Sequence, residues 1–218
     1  MLRRVINVPT PTFFNLPAEK RDRIVAAAIT EFASNSLDNA SIAAIVERAD
    51  IPRGSFYQYF DGIMDVYKHV FHLIADKKLD YMRSVMANLE TMGFFPLMRE
   101  LNAAGFRFAS QNPEMAAIGN RFFQEDQAVR QEILGEFREV SRSFFVPLLA
   151  RGQERGEIDP SVDVDMASFM LTALNTAAID HFLEKSSMQD LLDNMDDFIG
   201  WAEQMLQILE KGMGTGQG

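Results

Sequence analysis

The chain has 218 residues, 47% of them hydrophobic, no cysteine and a formal net charge of −10. Such a hydrophobic share fills a packed core, the absence of cysteine removes any disulfide framework or thiolate metal site, and no apolar run is long enough to span a bilayer. A cytoplasmic globular protein of one large or two modest domains is expected, and its overall acidity argues on its face against nucleic acid as a partner.

In chain order, Arg3 and Arg4 stand in an N-terminal arm that Pro9 and Pro11 interrupt. Leu16 and Pro17 signal entry into a first helix, along which Ile24, Ala28 and Phe32 recur four apart on one face. Ser41 is a good N-cap, and Ile42, Ile45 and Val46 follow at helical intervals with Ala49 closing the stripe. Asp50 then suits a left-handed turn, Ile51 anchors it, and Pro52 fits the opening of the next helix because no amide is needed there. Gly54 and Ser55 leave that helix's first turn nearly bare, so its backbone can approach another molecule closely. Phe56 and Phe60 are expected inside, with Arg53, Ser55, Tyr57, Gln58 and Tyr59 outside. Tyrosines beside an Arg and a Gln on a short helix suit a DNA major groove.

The run Asp50, Ile51, Pro52, Arg53, Gly54, Ser55, Phe56, Tyr57, Gln58, Tyr59, Phe60 resembles the turn and recognition helix of the TetR family of bacterial transcriptional regulators. The likeness extends from about Phe13 to Val66. It implies a three-helix DNA-binding unit whose core is Ile24, Ala28, Phe32, Ile42, Ile45, Val46, Ile51, Phe56 and Phe60. Arg53 and Gln58 are then candidates for base edges, Lys20, Ser41, Tyr57 and Tyr59 for phosphates, and Gly54 and Ser55 for close backbone approach. Two positions depart from the pattern: Asp50 stands where Gly is common, and after Phe60 no Lys opens the next helix to grip a phosphate. Lys20, Arg21, Arg48 and the arm residues Arg3 and Arg4 are the cations that could compensate.

Charge is unevenly divided. Through Gly62, seven Arg and Lys face seven Asp and Glu, so the whole −10 lies beyond. An acidic body on a neutral head docks on phosphate head-first. On the connecting helix, Asp65, His69, His72 and Asp76 recur at four, three and four; a polar stripe is expected, with a divalent ion as the alternative.

Beyond Ile63 the pattern stays helical, with breaks near Met92 and Gly93, at Asn112 and Pro113, from Gly152 to Pro160, and at Ser186 and Ser187. Leu97, Leu101, Ala104 and Phe108 mark one amphipathic helix; Ile133, Phe137, Val140, Phe144 and Leu148 mark a longer one. With 13 Met and 18 Phe, an adaptable apolar cavity is expected from Met98, Phe108, Met115, Phe122, Phe123, Met166 and Met170, with Asn120, Arg121, Asn175 or His181 as polar handles. At the end of the chain, Leu192, Met195, Ile199, Ala202, Leu206 and Leu209 form a stripe that Leu191, Phe198 and Met205 make too wide for one neighbour, and Met170, Ala173, Leu174, Ala177 and Ala178 offer a small-residue face before it. The resemblance implies that these terminal helices form a four-helix bundle between two subunits.

The expectation is an all-α protein with a helix-turn-helix DNA-binding domain over residues 1–62 and a ligand-sensing, dimerising domain over 63–218, ending in a flexible Gly-rich tail. Its partners are double-stranded DNA, a mainly hydrophobic effector and a second copy of itself; no cofactor is called for. With three His, no Cys and no glycine-rich phosphate loop, little is available to build an enzyme. The function expected is a repressor released from a palindromic operator by its ligand, the alternative being a helical module that works through protein contacts.

Overall fold

The computed structural model describes residues 9–183 and 195–214, apart from some side chains within the helices of the second half. All named elements are helical: α1 (Pro11–Phe14), α2 (Ala18–Ser34), a 3-10 turn (Leu37–Asn39), α3 (Ile42–Arg48), α4 (Arg53–Phe56), α5 (Ile63–Met86), α6 (Phe94–Gln111), α7 (Pro113–Gln124), α8 (Gln127–Glu154), α9 (Val164–Leu183) and α10 (Met195–Met213). No strand occurs among the described residues, as expected. No described helix is long and apolar enough to cross a membrane. The expected breaks near residues 92 and 112 fall between helices, the one expected from Gly152 begins only after Glu154 because α8 runs through Gly152, and Ser186 and Ser187 lie outside the described residues.

The helices form two compact units. One comprises the residues up to Lys78 together with Asn112–Glu125, and the other Leu79–Gln111 with the residues from Asp126 onward. The first unit therefore runs past residue 62 and takes in α7. Its core holds Ile24, Ala28, Phe32, Ile45, Val46, Ile51, Phe56 and Phe60 as expected, while Ile42 is only half-buried. Phe13, from the short α1 that the sequence pattern did not signal, joins them, its ring centroid 5.2 Å from that of Phe60.

α7 lies along α2, fixed at three points. Arg121 Nε donates to the Ala33 carbonyl (2.9 Å), placing a cation at the carbonyl-rich end of α2. Thr30 Oγ1 donates to Glu114 (3.1 Å), and the buried Glu125 carboxylate accepts the Leu37 amide (2.8 Å) at the start of the 3-10 turn. Burial holds the Tyr67 phenol well above its usual range, and the nearby Glu125 charge raises it further.

The second unit packs α6 against α8 and α10, and α8 against α9. Its core includes Leu97, Leu101, Leu149, Ile158, Leu171, Leu206 and Leu209. α8 ends in a Schellman cap: Gly156 takes φ +71°, and the Gly156 and Glu157 amides donate to the Gln153 and Gly152 carbonyls. Gly152 leaves room for Ile158, whose Cδ1 sits 2.7 Å from where a Cβ would be.

Candidate functional site

The turn between α3 and α4 is set by Asp50. Its φ of +51° makes it the only non-glycine in left-handed backbone among the described residues. The Asp50 amide donates to Glu47 O (3.2 Å) and the Ile51 amide to Val46 O (3.1 Å), closing a second Schellman cap with Ile51 buried under it. At the other end of α3, Ser41 Oγ accepts from the Ala44 amide as the N-cap (3.4 Å). The buried Glu31 carboxylate takes the Ser41 amide (2.9 Å) and pairs with Arg48 Nη1 (2.5 Å). Arg48 is thereby tied to the head's own structure through Nη1, while its side chain stays 45% exposed.

α4 is a single turn. The Gln58, Tyr59 and Phe60 amides continue its hydrogen bonding onto Ser55 and Phe56, so the segment stays rigid to Phe60. Arg53, Gly54, Tyr57 and Gln58 are exposed and Ser55 is half-buried. A Cβ on Gly54 would meet nothing within 4 Å, so no packing inside the chain requires glycine there.

Tyr59 corrects the expected outward set. It is only 3% exposed, turned onto Phe13, with Lys20 Nζ 5.7 Å above its ring. Residues two apart on a helical turn point to roughly opposite sides, so with Tyr57 outside Tyr59 faces the core, where burying its aromatic ring stabilises by about 2 kcal/mol. Its carbonyl, with that of Gln58, receives Thr10: the amide at 2.9 Å to Tyr59 O and Oγ1 at 2.7 Å to Gln58 O. The chain thus enters the head beside the recognition segment. Arg21 is bonded to the Phe14 carbonyl (2.8 Å), and Arg3 and Arg4 lie outside the described residues.

The Asp65, His69, His72, Asp76 stripe divides. Asp65 Oδ2 accepts the Asp61 amide (2.9 Å) at the start of α5, and His69 sits among Phe13, Phe14 and Phe60 with ring centroids 5.3 to 6.4 Å away. Burial, aided by the charge of His72, lowers its pKa from 6.5 to about 4. No group of three metal-ligating side chains occurs among the described residues.

The residues selected for an effector cavity do not form one set. Met115, Asn120, Arg121, Phe122 and Phe123 belong to the first unit, where Arg121 caps α2, Phe122 is buried against Phe71, and the Asn120 amide nitrogen is buried without a partner. Met98 and Phe108 are buried in the second unit. Met166 and Met170 stand on the surface of α9, 59% and 43% exposed, because the face of α9 that packs inward is Ala167, Leu171 and Leu174. The side chain of Asn175 is outside the described residues, and His181 stacks on Trp201 (5.8 Å).

What the second unit does contain is a groove of about 330 Å³ between α6 and α10. Arg99, Ala103, Phe106 and Arg107 line it from α6, and Ile199, Ala202, Glu203 and Leu206 from α10. None of the sequence-selected ligand residues does.

The stripe expected to pair two copies is likewise split. Leu206 is buried in its own chain's core against α6, because α10 turns that face inward, and Ala202 is half-buried beside it. Leu174 packs on the same core, Ala177 and Ile199 are exposed, and Leu192 and the Met195 side chain lie outside the described residues. The large apolar side chains left in solvent on these helices are Met166, Phe169 (67% exposed) and, from the expected set, Met170 on α9, with Ile199, also expected, and Ile208 (70%) on α10. Phe169 gives no signal in the sequence, because a single Phe within a generally apolar helix carries no periodicity.

Comparison with known proteins covers almost the whole chain. The sequence model of "Bacterial regulatory proteins, tetR family" matches residues 24–70, and that of "Tetracyclin repressor-like, C-terminal domain" matches residues 92–214. No curated protein matches. Among solved structures, a TetR family transcriptional regulator from Chloroflexus aurantiacus is 32% identical with TM-score 0.64, covering 95% of this chain and 99% of its own. FadR from Bacillus subtilis, solved with stearoyl-CoA, is 18% identical with TM-score 0.68 over 88% of this chain and 98% of its own. The ketosteroid regulator KstR2 of Mycobacterium tuberculosis is 17% identical with TM-score 0.60 over 92% and 97%.

Proposed function

Because the chain belongs to the TetR family of bacterial regulatory proteins, we propose that it is a homodimeric repressor that leaves a palindromic operator when a mainly hydrophobic effector binds. The observation that carries this reading is the recognition segment: Arg53, Gly54, Tyr57 and Gln58 project from one rigid turn fixed by the Asp50 cap. Arg53 and Gln58 read base edges, Gly54 and Ser55 let the backbone come close, and Lys20, Ser41 and Tyr57 hold phosphates. Tyr59 supports Lys20 from beneath instead of touching DNA. Two heads occupy successive major grooves about 34 to 36 Å apart.

Dimerisation is supported by the exposed Met166, Phe169, Met170 and Ile208, large apolar side chains on α9 and α10 that a monomer would leave in water. With Arg48 held by Glu31 and no Lys after Phe60, each head grips weakly, so two copies and the arm cations Arg3 and Arg4 are needed together. The stearoyl-CoA held by FadR and the ketosteroid link of KstR2 support an apolar effector.

Selection of bound sequences from random DNA, followed by fluorescence anisotropy, tests this. A two-fold site is expected, with affinity falling steeply as salt rises, and Arg53→Ala and Gln58→Ala are expected to relax its sequence at defined positions. Phe169→Asp should yield monomers with at least a hundredfold weaker operator binding. Salt-independent binding, or unchanged sequence preference in both recognition variants, would overturn the assignment.

A further inference from the structure

We propose that the α6–α10 groove is the effector site and that it takes an amphipathic monoanion, an extended apolar chain with a carboxylate at the Arg107 end. This rests on the effector-responsive reading above and gives it a place and a chemical class.

The groove is built from one face of each helix. On α6 its residues recur from Arg99 through Ala103, Phe106 and Arg107 to Ser110 at intervals of three and four, the spacing of a single helical face. Ala103 and Ala202 are the small residues that leave the space open, and Phe106, Ile199 and Leu206 supply apolar wall. Its volume of about 330 Å³ lies within the range of small-molecule sites.

The charges at its two ends differ. Arg99 is closed off: Nε donates to Glu203 (2.8 Å) and Nη2 to Glu210 (2.7 Å), so its charge is answered within the chain. Arg107 lies two turns further along, about 12 Å away at 1.5 Å per residue. Among the described residues it forms no ion pair or side-chain hydrogen bond, and it is exposed where it lines the groove. A cationic ligand would meet that charge unfavourably and a polyanion would lack a second free partner. A single carboxylate pairs with it while an apolar chain runs toward Arg99.

Calorimetric titration of the full-length protein, without DNA, tests this with decanoate and decanol as probes. One decanoate per chain is expected, bound at least tenfold more tightly than decanol. Arg107→Gln should weaken decanoate about tenfold and leave decanol unchanged, and Ala103→Trp should abolish both while the dimer persists. Absence of decanoate binding, wild-type decanoate affinity in Arg107→Gln, or undiminished binding in a folded Ala103→Trp protein each overturns the proposal. A groove occupied by a second copy would show as decanoate binding only in the monomeric Phe169→Asp protein, which also overturns it. Operator binding is measured separately, so loss of the regulatory reading leaves a positive titration standing and the reverse holds equally.

Discussion

Gly54→Ala separates stability from recognition. The Gly54 backbone is not in the left-handed region and an added Cβ meets nothing within 4 Å, so the folded chain accepts alanine without strain. Alanine also restricts the unfolded chain and favours helix, a gain of about 0.5 kcal/mol and a melting temperature about 1 to 2 °C higher. If glycine is kept so that DNA can approach the backbone, the methyl group displaces a contact at each head. At about 1.4 kcal/mol per tenfold, losing one such contact per head weakens a two-headed complex about a hundredfold. Urea denaturation gives the first quantity and anisotropy on the selected operator, at one fixed salt concentration, the second. An alanine variant that binds like wild type, or one that is destabilised, refutes the reasoning.

Other outcomes follow from particular residues. Asp50→Gly relieves left-handed backbone in a non-glycine residue and removes a negative charge near the DNA face, so both stability, by about 0.5 kcal/mol, and operator affinity should rise in the same denaturation and anisotropy assays. The folded-state pKa of His69, about 4, lies below its ordinary 6.5, so the unfolded chain binds the proton first. Its contribution is complete above pH 6.5 and is lost as pH falls through 4, amounting to about 3 kcal/mol at about 1.4 kcal/mol per pH unit. His69→Phe should flatten that part of the stability profile in urea titrations across pH. Gly152→Ala drives a methyl group into Ile158 Cδ1, 2.7 Å from the new Cβ, and should destabilise by about 1 to 3 kcal/mol. Ile158→Val removes Cδ1, the nearer of the two obstructing atoms, and leaves Cγ1 at 3.0 Å, so the double variant should lose less than the sum of the two single changes.

The head was legible because its signals are local. The N-cap at Ser41, the turn at Asp50, the proline at the start of α4 and the four-residue apolar spacing of α2 each depend on neighbours a few positions away. What escaped depends on partners far along the chain. Arg121 and Ala33 are 88 residues apart, so Arg121 read as a polar handle and proved to be a helix cap. Tyr59 shares a pattern with exposed Tyr57, and only the arrival of α1, too short to show periodicity, turns it inward. Leu206 belongs to a stripe wide enough for two neighbours, and periodicity alone does not say which side meets α6. The α6–α10 groove mixes charged and apolar residues on one face, a pattern that in sequence is hard to tell from a solvated surface.

The first unit is not contiguous: the segment from Asn112 to Glu125 belongs with the residues before Lys78. During synthesis, the Ala33 carbonyl has no Arg121 and the Leu37 amide no Glu125 until more than half the chain has left the ribosome. A fragment ending after α4 would carry every residue proposed to touch DNA and still lack the pieces that brace α2. The first unit can reach its finished form only after α6 has been made, so the segment proposed to read DNA is not fully braced until the second unit has begun to exist.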